Sequence, residues 1–264
     1  MTFPIDEKLK IGIQTIHREP DDQNGPWLPK IDELVDFVQL VDKSGFDSLW
    51  VGDHLSMPLP FFDPFQQLAQ AAVASRRLLL GTSVYLLPLR HPGPVAKQAI
   101  TLDHLSEGRL LFGVGIGGEF PKEYEVAGVP MNERGARLSE SIEVMRELWS
   151  GEPASYNGKF FKFSEVLMTP PPRQEGGPPI WCGGRKEAAF KRMGRLADGY
   201  VSYVVTPEMY RDALVKIEQA ANEANRKLNN FGTGHLIFTR VDDNYETALE
   251  TATSSLSKRY AMDF

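Results

Sequence analysis

The chain has 264 residues, 42% of them hydrophobic and 24% charged, with a formal net charge of -6 and a single cysteine. That length suits one large barrel or two modest domains, and the acidic balance argues against broad nucleic-acid binding. The lone Cys182 rules out an intrachain disulfide, no apolar run reaches membrane-spanning length, and "MTFPIDEKLK" lacks the apolar core of a signal peptide. The expectation is a cytoplasmic chain with no membrane partner.

Short apolar runs alternate with amphipathic stretches. "LKIGIQTI" (9–16) reads as a buried strand, followed by a helix over 30–45 with Ile31, Leu34, Val35, Val38 and Val41 at helical spacing. "FDSLWVGDH" (46–54) reads as a second strand. A helix over 63–75 has Asp63 as its N-cap and Pro64 in its first turn. "RLLLGTSVYLL" (77–87) is a third strand, and the helix over 94–108 closes at Gly108. "RLLFGVGIG" (109–117) is a fourth strand, and 132–151 a helix with Leu138, Ile142, Met145 and Trp149 on one face.

An excursion over 152–179 interrupts this rhythm. Its "YNGKFFKF" predicts a hairpin with an Asn-Gly turn, and Tyr156, Phe160, Phe161 and Phe163 form its apolar face. Beyond it the alternation resumes with strands over 179–184, 198–205 and 232–241 and helices over 185–197, 207–226 and 244–261.

Strands alternating with helices imply parallel pairing through right-handed crossovers. We read 1–264 as one α/β domain of (β/α)8 TIM-barrel type. Seven strand–helix units are countable, so the expectation is a barrel lacking its eighth unit, with its first and seventh strands unpaired along one side. No strand–Gly-x-Gly-x-x-Gly–helix signature opens the chain, which weakens a dinucleotide-fold reading.

Barrel chemistry sits at the C-terminal ends of strands. Those ends carry Gln14 and Thr15, Asp53 and His54, Ser83 and Val84, Gly115 to Gly118, Gly183 to Arg185, Tyr203 and Thr239. His54 can give or take a proton near neutral pH; the alternative is a structural imidazole bonded to a carbonyl. Metal binding by Asp53 and His54 is disfavoured, because no second His or carboxylate pair lies at ligand spacing. "CGGR" (182–185) puts free backbone N–H groups and Arg185 at a helix start, which suits a phosphate; many loops use Gly-Gly only to turn. Cys182 reads as a buried small hydrophobe. His17 and His235 lack a recognisable partner, His104 reads as mid-helix and structural, and His91 shapes the loop after the third strand. Trp27, Phe61 and Phe62 are loop aromatics that either cover a planar ring or pack their own loops.

The segments "GFDSLWVGDH", "LGTSVYLLPLRHPGPVAKQAITLDHLSEGRLLFGVGIG", "GVPMNERGARLSESIEVMRELWSG" and "PPIWCGGRKEAAFKRMGRLADGY" together resemble the luciferase-like monooxygenase superfamily. "NERG.R" followed by "PPIW.GG" is most similar to its branch using the deazaflavin coenzyme F420, with the FMN-using branch close behind. The resemblance implies a ring bound across the C-terminal mouth, packed on a non-proline cis peptide matching Ser83–Val84. It implies that Asp53–His54 occupies the proton-handling position and that Gly183, Gly184 and Arg185 receive the cofactor's phosphate side. It further implies that Gly115 and Gly117 let the ring or substrate approach the fourth strand. Some relatives carry a catalytic Glu directly after that strand; the nearest here is Glu119, displaced by one extra glycine. Relatives are commonly homodimers. The implied activity is hydride transfer between F420 and a small organic substrate. The alternatives are an FMN-dependent monooxygenase using molecular oxygen, a non-catalytic flavin-binding protein, and a metal-dependent barrel hydrolase.

Overall fold

The computed structural model describes residues 9–14, 31–57 and 61–260. Strand β1 (Gly12–Gln14) leads to helix α1 (Ile31–Lys43), β2 (Ser48–Val51), α2 (Pro64–Ala74), β3 (Leu79–Thr82) and α3 (Pro92–Leu105). Then come β4 (Leu110–Val114), α4 (Pro121–Ala127) and α5 (Arg134–Leu148), followed by the hairpin strands β5 (Ala154–Asn157) and β6 (Lys162–Val166). The chain continues through β7 (Ile180–Gly183), α6 (Glu187–Leu196), β8 (Gly199–Tyr203), α7 (Pro207–Glu223), β9 (Gly232–Leu236) and α8 (Tyr245–Tyr260). Seven strands pair in parallel in the order β1-β2-β3-β4-β7-β8-β9, a curled half-barrel, while β5 and β6 form a separate antiparallel pair. The expected alternation and parallel pairing are therefore present. Among the described residues β1 and β9 stand at the sheet margins.

Alternate strand residues face opposite sides of a sheet. On the outer face Leu49, Val51, Leu80, Phe112, Val114, Ile180 and Tyr200 are buried. They belong to one core with Leu68, Ile100, Ile142, Met145 and Ile217 from the helices. Each such side chain contributes about 1.5–3 kcal/mol on burial, so this layer supplies most of what holds the helices down.

The concave face is built differently. Trp50 and Trp181 lie there with ring centroids 5.8 Å apart. A methyl group at Gly12 or Gly81 would fall within 2.8 Å of Trp50 ring atoms, and one at Gly199 or Gly232 within 2.6 Å of Trp181. Trp50 lies in register opposite Gly81 and Trp181 opposite Gly199, while Gly12 on β1 pairs with Ser48 and Gly232 lies one strand farther out, opposite Gly199. Glycine on the flanking strands is thus what lets two indoles fill a narrow interior.

Local signals work where they are strong. Asp63 caps α2 by accepting from Phe65 N and Gln66 N, with Pro64 next, as expected. His91 caps α3, its Nδ1 accepting from Gly93 N, and it meets the ring of Phe161 edge-on.

Several expectations need correction. The first strand is an exposed-to-half-buried margin strand, with Leu9 81% and Ile11 54% exposed. Its margin position agrees with the expectation, but the burial read from its apolar residues does not. Thr15, His17 and Trp27 lie outside the described residues. The third strand is only four residues long and gives way to a cis Ser83–Val84 peptide, a single bridge from Tyr85 to Val114 and a one-turn 3₁₀ helix over Leu87–Leu89. Helix α4 was not expected at all. The hairpin turn is the four-residue loop 158–161, closed by Gly158 N on Phe161 O, and not a two-residue Asn-Gly turn. The cause is tertiary: the Glu140 carboxylate on α5 accepts from Lys159 N, Phe160 N and Phe161 N, so the loop wraps an acid instead of turning tightly. His104 lies in the last turn of α3, where Nε2 bonds Pro171 O at 2.9 Å and ties down the excursion. His235 has a partner after all, with Nδ1 2.7 Å from Ser202 Oγ on the outer face.

Candidate active site at the C-terminal rim

Parallel pairing brings the ends of the strands to one rim. Gln14, Asp53 and His54, Ser83 and Val84, the glycines 115–118, Gly183 to Arg185 and Tyr203 all arrive there from separate elements.

Asp53 is buried and engaged. Its carboxylate accepts from Arg90 twice, Nη1 to Oδ2 at 2.5 Å and Nη2 to Oδ1 at 2.9 Å, and Oδ2 also accepts from Leu86 N at 2.8 Å. Arg90 lies over the Tyr85 ring at 4.4 Å. Burial pulls the Arg90 guanidinium down, but Asp53 more than reverses it, leaving the group above its ordinary value. Asp53 therefore clamps the segment that follows the cis peptide.

The partner of His54 is a different acid. Nδ1 lies 3.1 Å from Glu123 Oε1, and the same oxygen accepts from Leu55 N at 2.7 Å and Ser56 N at 3.3 Å. The Glu123 side chain is 1% exposed and that of His54 21%. Phe61 and Phe120 meet the imidazole edge-to-face at 4.9 and 5.3 Å. Of the candidate loop aromatics, Phe61 thus packs against His54. The sequence reading missed Glu123 because it missed α4. A signal was present: Pro121 opens and Gly128 closes a short amphipathic run, and Gly128 is indeed the left-handed cap at φ 66°.

The glycines of "GVGIGG" admit the protein's own atoms, backbone at Gly113 and side chains at Gly115 and Gly117. A methyl at Gly113 would lie 1.9 Å from Thr82 O, and one at Gly115 2.4 Å from Val84 Cγ2. One at Gly117 would meet Leu86 Cδ2 at 3.0 Å, and one at Gly183 would meet Val84 Cγ1 at 3.1 Å. What comes close to the fourth strand is thus β3 itself at Gly113 and the segment after the cis peptide at Gly115 and Gly117. Val84 sits between Gly115 and Gly183, half-buried, and gives that part of the rim an apolar floor.

Glu119 and Arg185, expected separately, meet through Tyr203. Tyr203 Oη donates to Glu119 Oε1 at 2.9 Å, and the Arg185 guanidinium lies 4.8 Å from the Tyr203 ring centroid. This cluster and His54 are held by different residues, Glu119 with Tyr203 in one and Glu123 in the other. Helix α6 begins just beyond, at Glu187, and its cap Lys186 makes no side-chain capping bond. Across the rim Gln14 Nε2 reaches Ser83 O at 3.5 Å, while its buried Oε1 has no partner among the described residues. Among the described residues no three His, Cys, Asp or Glu side chains cluster as metal ligands, and no helix is long and apolar enough to cross a membrane.

Cys182 points the other way, into the outer core. Burial pushes its thiol up to about 12. It should remain unmodified by a thiol reagent at pH 8 in the native protein and react only in denaturant; rapid native labelling would contradict this burial.

A curled parallel sheet crossed by helices, with an imidazole–carboxylate pair and glycine turns on its C-terminal rim, defines a barrel-type α/β enzyme scaffold. The chain belongs to the luciferase-like monooxygenase family, whose model matches residues 9–263. It is 30% identical over 255 residues to an F420-dependent glucose-6-phosphate dehydrogenase of Microbacterium testaceum, covering 92% of this chain and 72% of that one. Over 156 residues it is 33% identical to the oxygenase component of a flavin-dependent trigonelline monooxygenase of Acinetobacter baylyi, covering 58% of this chain and 43% of that one. Among solved structures, monooxygenase RslO1 from Streptomyces bottropensis superposes with a TM-score of 0.82 at 26% identity, covering 96% of this chain and 78% of that one.

Proposed function

We propose that the chain is an oxidoreductase that binds coenzyme F420 across the C-terminal rim and exchanges a hydride with a small organic substrate. The observation that carries this reading is His54, anchored through Nδ1 by buried Glu123 and still partly open to the rim. The relatives named F420-dependent dehydrogenases support the choice of cofactor.

The residues present suit such a group. Val84, Gly115 and Gly183 offer a flat apolar support for a planar ring, next to the Ser83 peptide. Gln14 Oε1, which has no partner among the described residues, can accept from a ring or substrate N–H or O–H. Gly184, Arg185 and the start of α6 present N–H donors and positive charge to an anionic tail. Gly117 keeps the loop after β4 low by accommodating Leu86. Asp53 supports the site from beneath through Arg90 and Leu86, and Glu119 holds Tyr203 at the edge nearest Arg185. When bound, F420 supplies a ring carbon that gives or takes a hydride. His54 handles the accompanying proton, and Phe61 and Phe120 wall its ring and exclude water on both flanks.

Binding decides between cofactors. Titrating the protein with F420 and with FMN, followed by fluorescence, should give saturable F420 binding and at most weak FMN binding. A second reading, an FMN-dependent monooxygenase, draws on the likeness to the trigonelline monooxygenase. Tight FMN binding with no F420 response would replace the first reading by the second.

A further inference from the structure

We infer that Glu123 is a positioning residue that holds His54 in its Nδ1–H tautomer, leaving Nε2 a bare proton acceptor facing the rim. The inference rests on His54 being the acid–base group of the proposed function, but its physical content concerns the protein alone.

The logic is one of donors and acceptors. Glu123 Oε1 lies within hydrogen-bonding distance of Leu55 N, Ser56 N and His54 Nδ1, at 2.7, 3.3 and 3.1 Å. Backbone N–H groups can only donate. An oxygen receiving two of them presents lone pairs, and a hydroxyl proton on it would be forced against their hydrogens. The third neighbour must then also donate, so the hydrogen of a neutral imidazole resides on Nδ1 and the lone pair on Nε2.

The two flanks of the imidazole are the edges or faces of Phe61 and Phe120, and no other hydrogen bond reaches the ring among the described residues. Glu123 is itself held still. Its backbone N donates to Phe120 O at 3.1 Å, and its neighbour Tyr124 donates through Oη to Ile116 O, tying α4 to the loop after β4. Oε2 is buried with no partner among the described residues, and the three bonds on Oε1 orient the carboxylate. Leu55 and Ser56 directly follow His54, so one acid fixes both the imidazole and the backbone that carries it. In a neutral imidazole that arrangement leaves Nε2 as the basic atom.

The test uses the 264-residue chain without cofactor, labelled with ¹⁵N. Long-range ¹H–¹⁵N correlation distinguishes the tautomers of a neutral imidazole, and a His54→Gln spectrum identifies the His54 signals among the five histidines. Wild type should show Nδ1–H. Glu123→Gln should keep it, because the amide oxygen can still accept from both backbone N–H groups and from Nδ1. Glu123→Ala, with no acceptor, should move His54 toward the Nε2–H form. An Nε2–H signature in wild type or in Glu123→Gln, or an unchanged Nδ1–H signature in Glu123→Ala, overturns the inference. If Glu123→Ala fails to fold, wild type and Glu123→Gln still decide it. Absence of F420 binding alongside a wild-type Nδ1–H signature would defeat the proposed function and leave this inference standing.

Discussion

Asp53→Ala should lower the free energy of unfolding by about 3–5 kcal/mol, the cost of breaking a buried ion pair from one side. Asp53 and Arg90 have side chains only 1% and 18% exposed and share two hydrogen bonds. Without the carboxylate, Arg90 keeps, among the described residues, the Tyr85 ring and Asp63, whose Oδ2 is 3.9 Å away, and Leu86 N loses its acceptor. The double variant Asp53→Leu/Arg90→Met should recover part of the loss, because it strands no charge. Urea denaturation of the three proteins measures both effects. A loss below 1 kcal/mol in Asp53→Ala would mean that water reaches this pair freely.

His54→Ala should reduce turnover by ~10²–10⁴-fold, the range for removing a positioned acid–base group. The assay is F420 reduction with any donor that the wild-type protein oxidises. Binding of F420 should change by no more than a few-fold, because His54 is walled by Phe61 and Phe120 and bonded to Glu123 independently of any ligand. Unchanged turnover would remove His54 from the chemistry. Lost turnover together with lost F420 affinity would instead mark His54 as part of the binding surface.

The parallel α/β order was legible in the sequence because each helix carries a repeating apolar stripe and each core strand a short apolar run. Asp63 with Pro64, and Gly108 at the end of α3, punctuate the chain through local chemistry that needs no distant partner. The residues at the strand ends were also legible, since a parallel sheet must deliver them to one rim. Their bonds were not. Asp53 and His54 are adjacent in the chain, yet Asp53 binds Arg90 and His54 binds Glu123, thirty-seven and sixty-nine positions away.

The glycines show the same division. From the sequence, "GVGIGG" says only that side chains are missing where a core strand would want them. In the folded chain Val84 and Leu86 take that space, arriving from the neighbouring strand past the Ser83–Val84 peptide. Likewise Gly81, Gly199 and Gly232 are unremarked in the sequence and are explained only once Trp50 and Trp181 lie across them.

By itself, then, the sequence determined the succession of helices and strands, the caps that bound several of them, and the set of residues available to the rim, all through periodicity and short-range hydrogen bonding. Only the tertiary structure decided which acid meets the imidazole, which side chains the glycines receive, and why the hairpin loop opens around Glu140. Those outcomes depend on groups far apart along the chain, and a hydrogen bond or a steric contact is chosen by distance in space.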